Sequence, residues 1–325
     1  MSGSSWDPVE FGRRSAAYWT AERTAKITGG KKYAILPSEG AVLLRALGLL
    51  NADASMSADA VRKYGQINHL VALLEPLLQE LMGRFPRVVI LDAGCGSSYL
   101  SFLLAYLFQQ RWQHAAEIIG VDSNPRLIEK CAERARLAGV DRSVRFQTAE
   151  LSHLQWSGLV GSTDDPGAGP LRPHLVVALH ACDTATDHAL AFAIAQRTDC
   201  IAVAPCCQAE LARAWAALAE AKTPGPLGPI WRAAHLRRQV AAEITDTLRM
   251  LLLRGAGYEV TTTEFVPSTH TPKNTLLRAI RRGNYLEDAL SEYRALRDAT
   301  GGAPIALEQL LPQEHRARLG RPTPR

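Results

Sequence analysis

No uninterrupted apolar run in this sequence reaches the roughly 18 residues that a helix needs to cross a bilayer. The opening stretch, MSGSSWDPVEFGRR, lacks the apolar core of a signal segment. A chain with no membrane association and a cytoplasmic location is expected. Cysteine is scarce: there are six in 325 residues and no paired CxxC motif, so neither a disulfide framework nor a zinc site is expected. No internal repeat is visible, which argues against a solenoid.

Apolar residues make up 47% of the chain and are interleaved with charged ones, so a sizeable buried core is expected rather than disorder. The net charge is +5, which permits a polyanionic partner without requiring one. The basic residues gather in three groups: Arg13, Arg14, Arg23, Lys26, Lys31 and Lys32; then Lys273, Arg278, Arg281 and Arg282; then Arg316, Arg318, Arg321 and Arg325. Each group alone could be solvated surface. Together they favour a surface that faces RNA or DNA.

Up to about residue 84 the pattern is helical, with GAVLLRALGLL and INHLVALLEPLLQELM carrying apolar residues at helical spacing. From Val88 short apolar strands alternate with helices. VVILDAG, EIIGVD, VRFQTAEL, HLVVALHA and CIAVAPCC read as strands, while SYLSFLLAYLF, PRLIEKCAERARLAG, TATDHALAFAIA and QAELARAWAALAEA read as helices. Such alternation predicts βαβ units and a parallel sheet covered on both faces. SGLVGSTDDPGAGPLRP and TPGPLGP read as surface loops. A long helix around VAAEITDTLRMLLLRGAG precedes YEVTTTEFV and NTLLRAIRR, expected as an antiparallel pair at the sheet edge. The expected fold is therefore α/β, Rossmann-like and mostly parallel with an antiparallel edge. The expected segments are a helical extension over 1–84, a catalytic domain over 85–283 and a helical, basic tail over 284–325.

Asp92-Ala93-Gly94-Cys95-Gly96 lies between a strand and a helix. Glycines there let the backbone turn tightly and approach a ligand, and the helix start offers free N–H groups. About 30 residues later a second strand ends in Asp122, placed to accept hydrogen bonds from ribose hydroxyls. This pattern resembles the class I S-adenosylmethionine methyltransferases, whose strand-one D-x-G-x-G loop packs on the methionine part of the cofactor. The resemblance implies S-adenosylmethionine as cofactor, held by Asp92, Gly94, Gly96 and Asp122, with Glu150 reading the adenine. The competing reading is a nicotinamide dehydrogenase, which favours G-x-G-x-x-G; position 99 is Tyr.

Three further segments cluster chemistry-bearing residues: Leu179-His180-Ala181-Cys182-Asp183-Thr184-Ala185-Thr186-Asp187, Ala204-Pro205-Cys206-Cys207-Gln208, and His270-Thr271-Pro272-Lys273-Asn274. The first two follow strands, at the sheet end where ligands bind. His180 could be a core histidine, Cys206 and Cys207 small buried hydrophobes, and Asp183 and Asp187 caps of the next helix. Together they resemble a bacterial family of methyltransferase-domain proteins carrying LHACDTATD, PCCQ and HTPKN. The resemblance runs from about Lys31 to Arg282 and includes Lys63-Tyr64-Gly65-Gln66-Ile67-Asn68. A looser similarity reaches the eukaryotic tRNA ribose 2′-O-methyltransferases of the acceptor stem, in which the position of Asp183 is usually glycine.

The resemblance implies methylation of structured RNA at a ribose 2′-hydroxyl; ribosomal RNA is the expected substrate ahead of tRNA. Such a weak nucleophile needs a hydrogen-bond acceptor or a nearby cation. Lys273 is the candidate cation and His180 or Asp183 the acceptor; Asn274 and Lys63 are candidate substrate contacts. The alternative is cytosine C5 methylation, with Cys206 adding to the base and Asp183 as the acid. A protein or small-molecule substrate, or a catalytically silent RNA-binding module, stays open.

Overall fold

The computed structural model describes residues 6–159, 172–179, 181, 183–206, 208–264, 275–283 and 285–320. The chain divides into two compact units, residues 1–148 and 149–325.

The first unit begins with four helices, α1 (Pro8–Tyr18), α2 (Ala21–Thr28), α3 (Ala41–Ala46) and α4 (Ala58–Arg84). Asp7 caps α1 through the amides of Val9 and Glu10, and Ser57 caps α4 through Ala60. Only six residues of GAVLLRALGLL are helical, because the amides of Leu49 and Leu50 both turn back to the Leu44 carbonyl. By contrast α4 begins nine residues before the expected Ile67 and runs through Pro76, burying Leu70, Leu74, Leu77, Leu78 and Leu81 along one face. Then follow β1 (Arg87–Ala93), α5 (Tyr99–Tyr106), β2 (Ala115–Asp122), α6 (Pro125–Ala138) and β3 (Val144–Thr148). The three strands are parallel in the order β3-β2-β1. All of β1 beyond Arg87 is buried, as a strand covered on both faces must be.

Two details matter below. α5 runs on into a π-helical turn over Leu107–Arg111, where the Trp112 amide reaches back five residues to the Leu107 carbonyl at 2.8 Å. β3 stops at Thr148, not at Leu151 as the apolar pattern suggested. Thr148 pairs with Asp122, the last residue of β2, so the ladder has no partner beyond it.

The second unit contains α7 (Trp156–Leu159), β4 (Leu175–Ala178), α8 (Thr184–Ala195), β5 (Cys200–Val203), α9 (Glu210–Glu220), α10 (Gly228–Arg232) and α11 (Ala234–Gly255). After these come β6 (Tyr258–Glu264), β7 (Thr275–Arg281), α12 (Glu287–Ala299), α13 (Ala306–Leu310) and α14 (Gln313–Leu319). Its strand order is β4-β5-β7-β6, with β4 and β5 parallel and β7 antiparallel to both its neighbours. The expected antiparallel pair is present, with β7 inside and β6 at the edge. The fold is the expected mostly parallel, Rossmann-like α/β arrangement with an antiparallel edge. No helix among the described residues is long and apolar enough to cross a membrane.

Candidate active site

In the first unit the turn from β1 to α5 uses left-handed backbone at Gly94 (φ +71°), Gly96 (φ +54°) and Ser98 (φ +57°). Non-glycine residues pay about 1–2 kcal/mol for that conformation. The space where a Cβ would sit on Gly96 is open, so the backbone there can be approached by a ligand. The loop is pinned from both sides. The Gly96 amide donates to Asp122 Oδ2 at 2.9 Å, and the Cys131 thiol donates to the Gly96 carbonyl at 3.5 Å. The other Asp122 oxygen accepts from the Asn124 amide at 2.9 Å. Each carboxylate oxygen keeps a further lone pair, enough for the two hydroxyls of a ribose.

Asp92 is buried and accepts from Ser101 Oγ at 2.5 Å and Ser98 Oγ at 3.4 Å. Burial raises its carboxyl to about 6 despite these bonds. Burial likewise pushes the Cys95 thiol up, and that of Cys131 to about 11, so both are packing groups rather than nucleophiles. Behind the loop, the exposed Lys63 holds its ammonium 3.9 Å from the centre of the Tyr99 ring. Asp92, Gly94, Gly96 and Asp122 thus form one constellation, with Lys63 on its flank. Glu150 belongs to the second unit, where its exposed carboxylate lies 3.5 Å from His153 Nδ1.

In the second unit Asp183 heads α8 in strained backbone, φ +51° and ψ −122°, and its side chain does not cap the helix. Its carboxylate accepts from the Ala209 amide at 3.1 Å and Arg213 Nη2 at 2.8 Å. Burial acts to raise this carboxyl, but the Arg213 and Ala209 hydrogen bonds outweigh it and hold it below its ordinary value. Asp187 is no simple cap either. Fully buried, it takes a two-pronged pair from Arg249, with Nε to Oδ1 at 2.9 Å and Nη2 to Oδ2 at 2.6 Å. Arg249 also reaches Asp246 Oδ1 at 3.0 Å and the Asp183 carbonyl at 3.2 Å, while Gln208 donates to Asp246 Oδ2 at 2.8 Å. One arginine on α11 therefore ties the segment after β4 to the segment after β5. Burial works against its charge, but Asp187 and Asp246 more than compensate, and its acidity falls below that of an ordinary guanidinium.

Cys206, three residues past β5, is half-buried and in no disulfide. His180, Lys273 and Asn274, with Cys182 and Cys207, lie outside the described residues. Among the described residues no group of three or more His, Cys, Asp or Glu is placed to hold a metal.

Sequence reasoning missed Arg249, Asp246 and Arg213. A signal for the first was present. Arg249 falls on the α11 stripe of Ala242, Thr245 and Leu252, all buried, and a cation there demands a partner.

Residues 62–214 match the family model described as a methyltransferase domain, a span that contains Lys63, the glycine loop, Asp122, Glu150, Asp183 and Cys206. That span, just under half of the chain, is similar to a methyltransferase domain, for which S-adenosylmethionine is the expected cofactor. Solved structures similar to this chain include an S-adenosylhomocysteine-bound methyltransferase of Podospora anserina, PaMTH1, at 13% identity and TM-score 0.39, covering 87% of this chain and 100% of that one. Another is the O-methyltransferase TomG of Streptomyces achromogenes, at 14% identity and TM-score 0.38, covering 86% and 100%. A third is a putative S-adenosylmethionine-dependent methyltransferase of Methanococcus maripaludis, at 14% identity and TM-score 0.36, covering 68% and 94%. A search of the curated proteins returned no match.

The residues present fit this cofactor: an open glycine turn and an acid with spare lone pairs at the end of β2. When bound, it supplies an electrophilic methyl carbon on a sulfonium. The part left to this chain's own residues is to hold, orient and desolvate.

Proposed function

We propose that this protein is an S-adenosylmethionine-dependent methyltransferase that modifies RNA at a ribose 2′-hydroxyl in the cytoplasm, with ribosomal RNA preferred to tRNA. The observation that carries the choice of an oxygen acceptor is Asp183, held ionised by Arg213 and the Ala209 amide. An ionised carboxylate accepts a hydrogen bond from a hydroxyl and orients it. Addition of the Cys206 thiol to cytosine would need an acid in that position, and a carboxyl held low is a poor one. In this reading Asp183 or His180 accepts a hydrogen bond from the hydroxyl and orients it, Lys273 stabilises developing negative charge, and Asn274 and Lys63 orient the strand. Adenine contact is assigned to Glu150. The transfer forms one O–C bond, breaks one S–C bond and releases one proton.

A polyanionic substrate is supported by the charge pattern. Arg14 and Lys26 are neutralised by Glu10 and Glu22, and Arg281 and Arg282 by Asp199 and Glu259. Lys31 and Lys32 are exposed and make no ion pair among the described residues.

The test is labelled S-adenosylmethionine with purified protein and total RNA from a strain lacking the gene, followed by digestion and mass mapping. Label on a ribose, retained in Cys206→Ala, is the expected result. Label on a cytosine that disappears in Cys206→Ala would transfer the reading to carbon five. Absence of label in RNA, with the cofactor still bound, would overturn it.

A further inference from the structure

A cleft of about 760 Å³ in the first unit is lined by Trp19, Thr24, Lys31, Lys32, Tyr33 and Arg111, among others. That volume lies within the range of about 300–1,000 Å³ common for ligand sites. Its rim is built by the segment that follows α2, and this segment is anchored at four points. Tyr64 of α4 donates from its hydroxyl to the Ile35 carbonyl at 2.5 Å, and Asn68 Oδ1 accepts from the Ile35 amide at 3.1 Å. Arg111, at the end of the π-helical turn, donates to the Ala34 carbonyl at 3.1 Å. Tyr106 donates to the Glu39 carbonyl at 3.0 Å. The rim is thereby fixed, while the lysine side chains it carries are not engaged with any carboxylate among the described residues.

The charge balance separates this cleft from a second one in the same unit. That cleft, beside Trp6 and Ala52, holds Asp7 and Glu10 against Arg14 and Arg45, two of each sign. In the larger cleft Lys31, Lys32 and Arg111 face one carboxylate, Glu39. Half-buried Tyr33 and Tyr106 add aromatic surface beside the cations. Among the described residues, Tyr33 uses its hydroxyl for no hydrogen bond and packs its ring on Tyr64 at 5.2 Å. Cations with aromatic faces between them suit a strand that presents phosphates and bases in alternation.

We propose that this cleft is a binding site for the phosphodiester backbone of the RNA substrate, with Lys31 and Lys32 as the phosphate contacts. The proposal rests on the RNA reading above and gives it a location: the buried Tyr64 and Asn68 of the Lys63–Asn68 segment position the rim that carries the two lysines. Neutralising two phosphates releases counterions, so both affinity and its salt dependence must change when the lysines are lost.

The experiment measures binding of a fluorescein-labelled RNA hairpin by anisotropy across a salt series. It compares wild type with Lys31→Glu/Lys32→Glu and with Lys31→Gln/Lys32→Gln, and follows S-adenosylmethionine binding by calorimetry on the same samples. The expected result is at least a tenfold loss of hairpin affinity in the glutamate variant and a smaller loss in the glutamine variant. The slope of log K against log salt should shrink by about 1.4–1.8 in both, with cofactor affinity unchanged. Equal affinity and slope in all three proteins would overturn the cleft proposal and leave the RNA reading standing. A wild type that neither binds the hairpin nor labels RNA would overturn both. Parallel loss of cofactor binding in both variants would also overturn the cleft proposal, since the lysines would then be supporting the fold.

Discussion

The glycine turn of the first unit and the charged cluster of the second solve similar problems with opposite materials. The turn after β1 is shaped by backbone: residues in left-handed conformation, amide donors, and one acid, Asp122, which bonds the chain at Gly96 and at Asn124. The segment after β4 is shaped by side chains. Asp187, Asp246 and Gln208 converge with Arg249, a residue 62 positions away from Asp187. A turn built from backbone tolerates changes at its side chains; a buried ionic cluster does not, because each member leaves a charge behind when removed. The difference teaches that the first region should fail locally and the second globally.

The largest expected effect follows from that contrast. Arg249→Met should cost about 3–5 kcal/mol, since it strands two carboxylates in the interior. Urea denaturation measures it, and a neutral result would break the contrast outright.

Next in size is a pH effect in the first unit. Burial raises the Asp92 carboxyl from 3.8 to about 6, so the folded state binds a proton that the unfolded state has lost. The resulting stabilisation is present below about pH 4 and disappears as pH rises through about 6, a total of about 2–3 kcal/mol. Asp92→Asn removes that dependence. Melting curves should show the variant gaining on wild type between pH 4 and 6 and staying ahead above it. Parallel pH profiles would mean that Asp92 is not protonated in the folded state.

A smaller loss, about 1–2 kcal/mol, is expected for Gly96→Ala from left-handed strain. Its effect on cofactor affinity should be larger, at least tenfold by calorimetry. Cofactor binding that follows stability alone would remove the ligand-facing role assigned to this turn.

Asp183→Gly should move stability least, within about 1 kcal/mol. Relief of backbone strain of about 1–3 kcal/mol is offset by the freedom glycine gains in the unfolded chain, about 0.4–1 kcal/mol. It is offset further by loss of a partly exposed pair with Arg213 worth about 0–1 kcal/mol. Turnover should fall at least tenfold all the same. Unchanged turnover would reduce Asp183 to a structural residue.

Local signals carried most of the fold. TATDHALAFAIA was legible as a helix and forms α8 with those limits, Thr184–Ala195. The glycine expected to end α6 does so as Gly139, in left-handed conformation. What failed to show was set by partners distant in the chain. β3 ends where β2 runs out, and α4 continues through Pro76 because its apolar face is buried on both sides of the proline. The same holds for the site. The Asp92–Gly96 turn and Asp122 follow from spacing alone, whereas the Arg249 cluster needs α11 packed in place before its charges meet. Nor does periodicity reveal which basic residues find carboxylates. Arg281 and Arg282 do, and Lys31 and Lys32 do not among the described residues.

The π-helical turn at Leu107–Arg111 makes chain length at this point a matter of aim. It closes with the Trp112 amide reaching back five residues to Leu107, one more than an α-helical turn spans. Arg111 is the last residue of that turn and donates to the Ala34 carbonyl. One residue on a regular helix is worth about 100° of rotation, so a deletion within the turn would swing the guanidinium away from the rim and leave the Ala34 carbonyl without this donor.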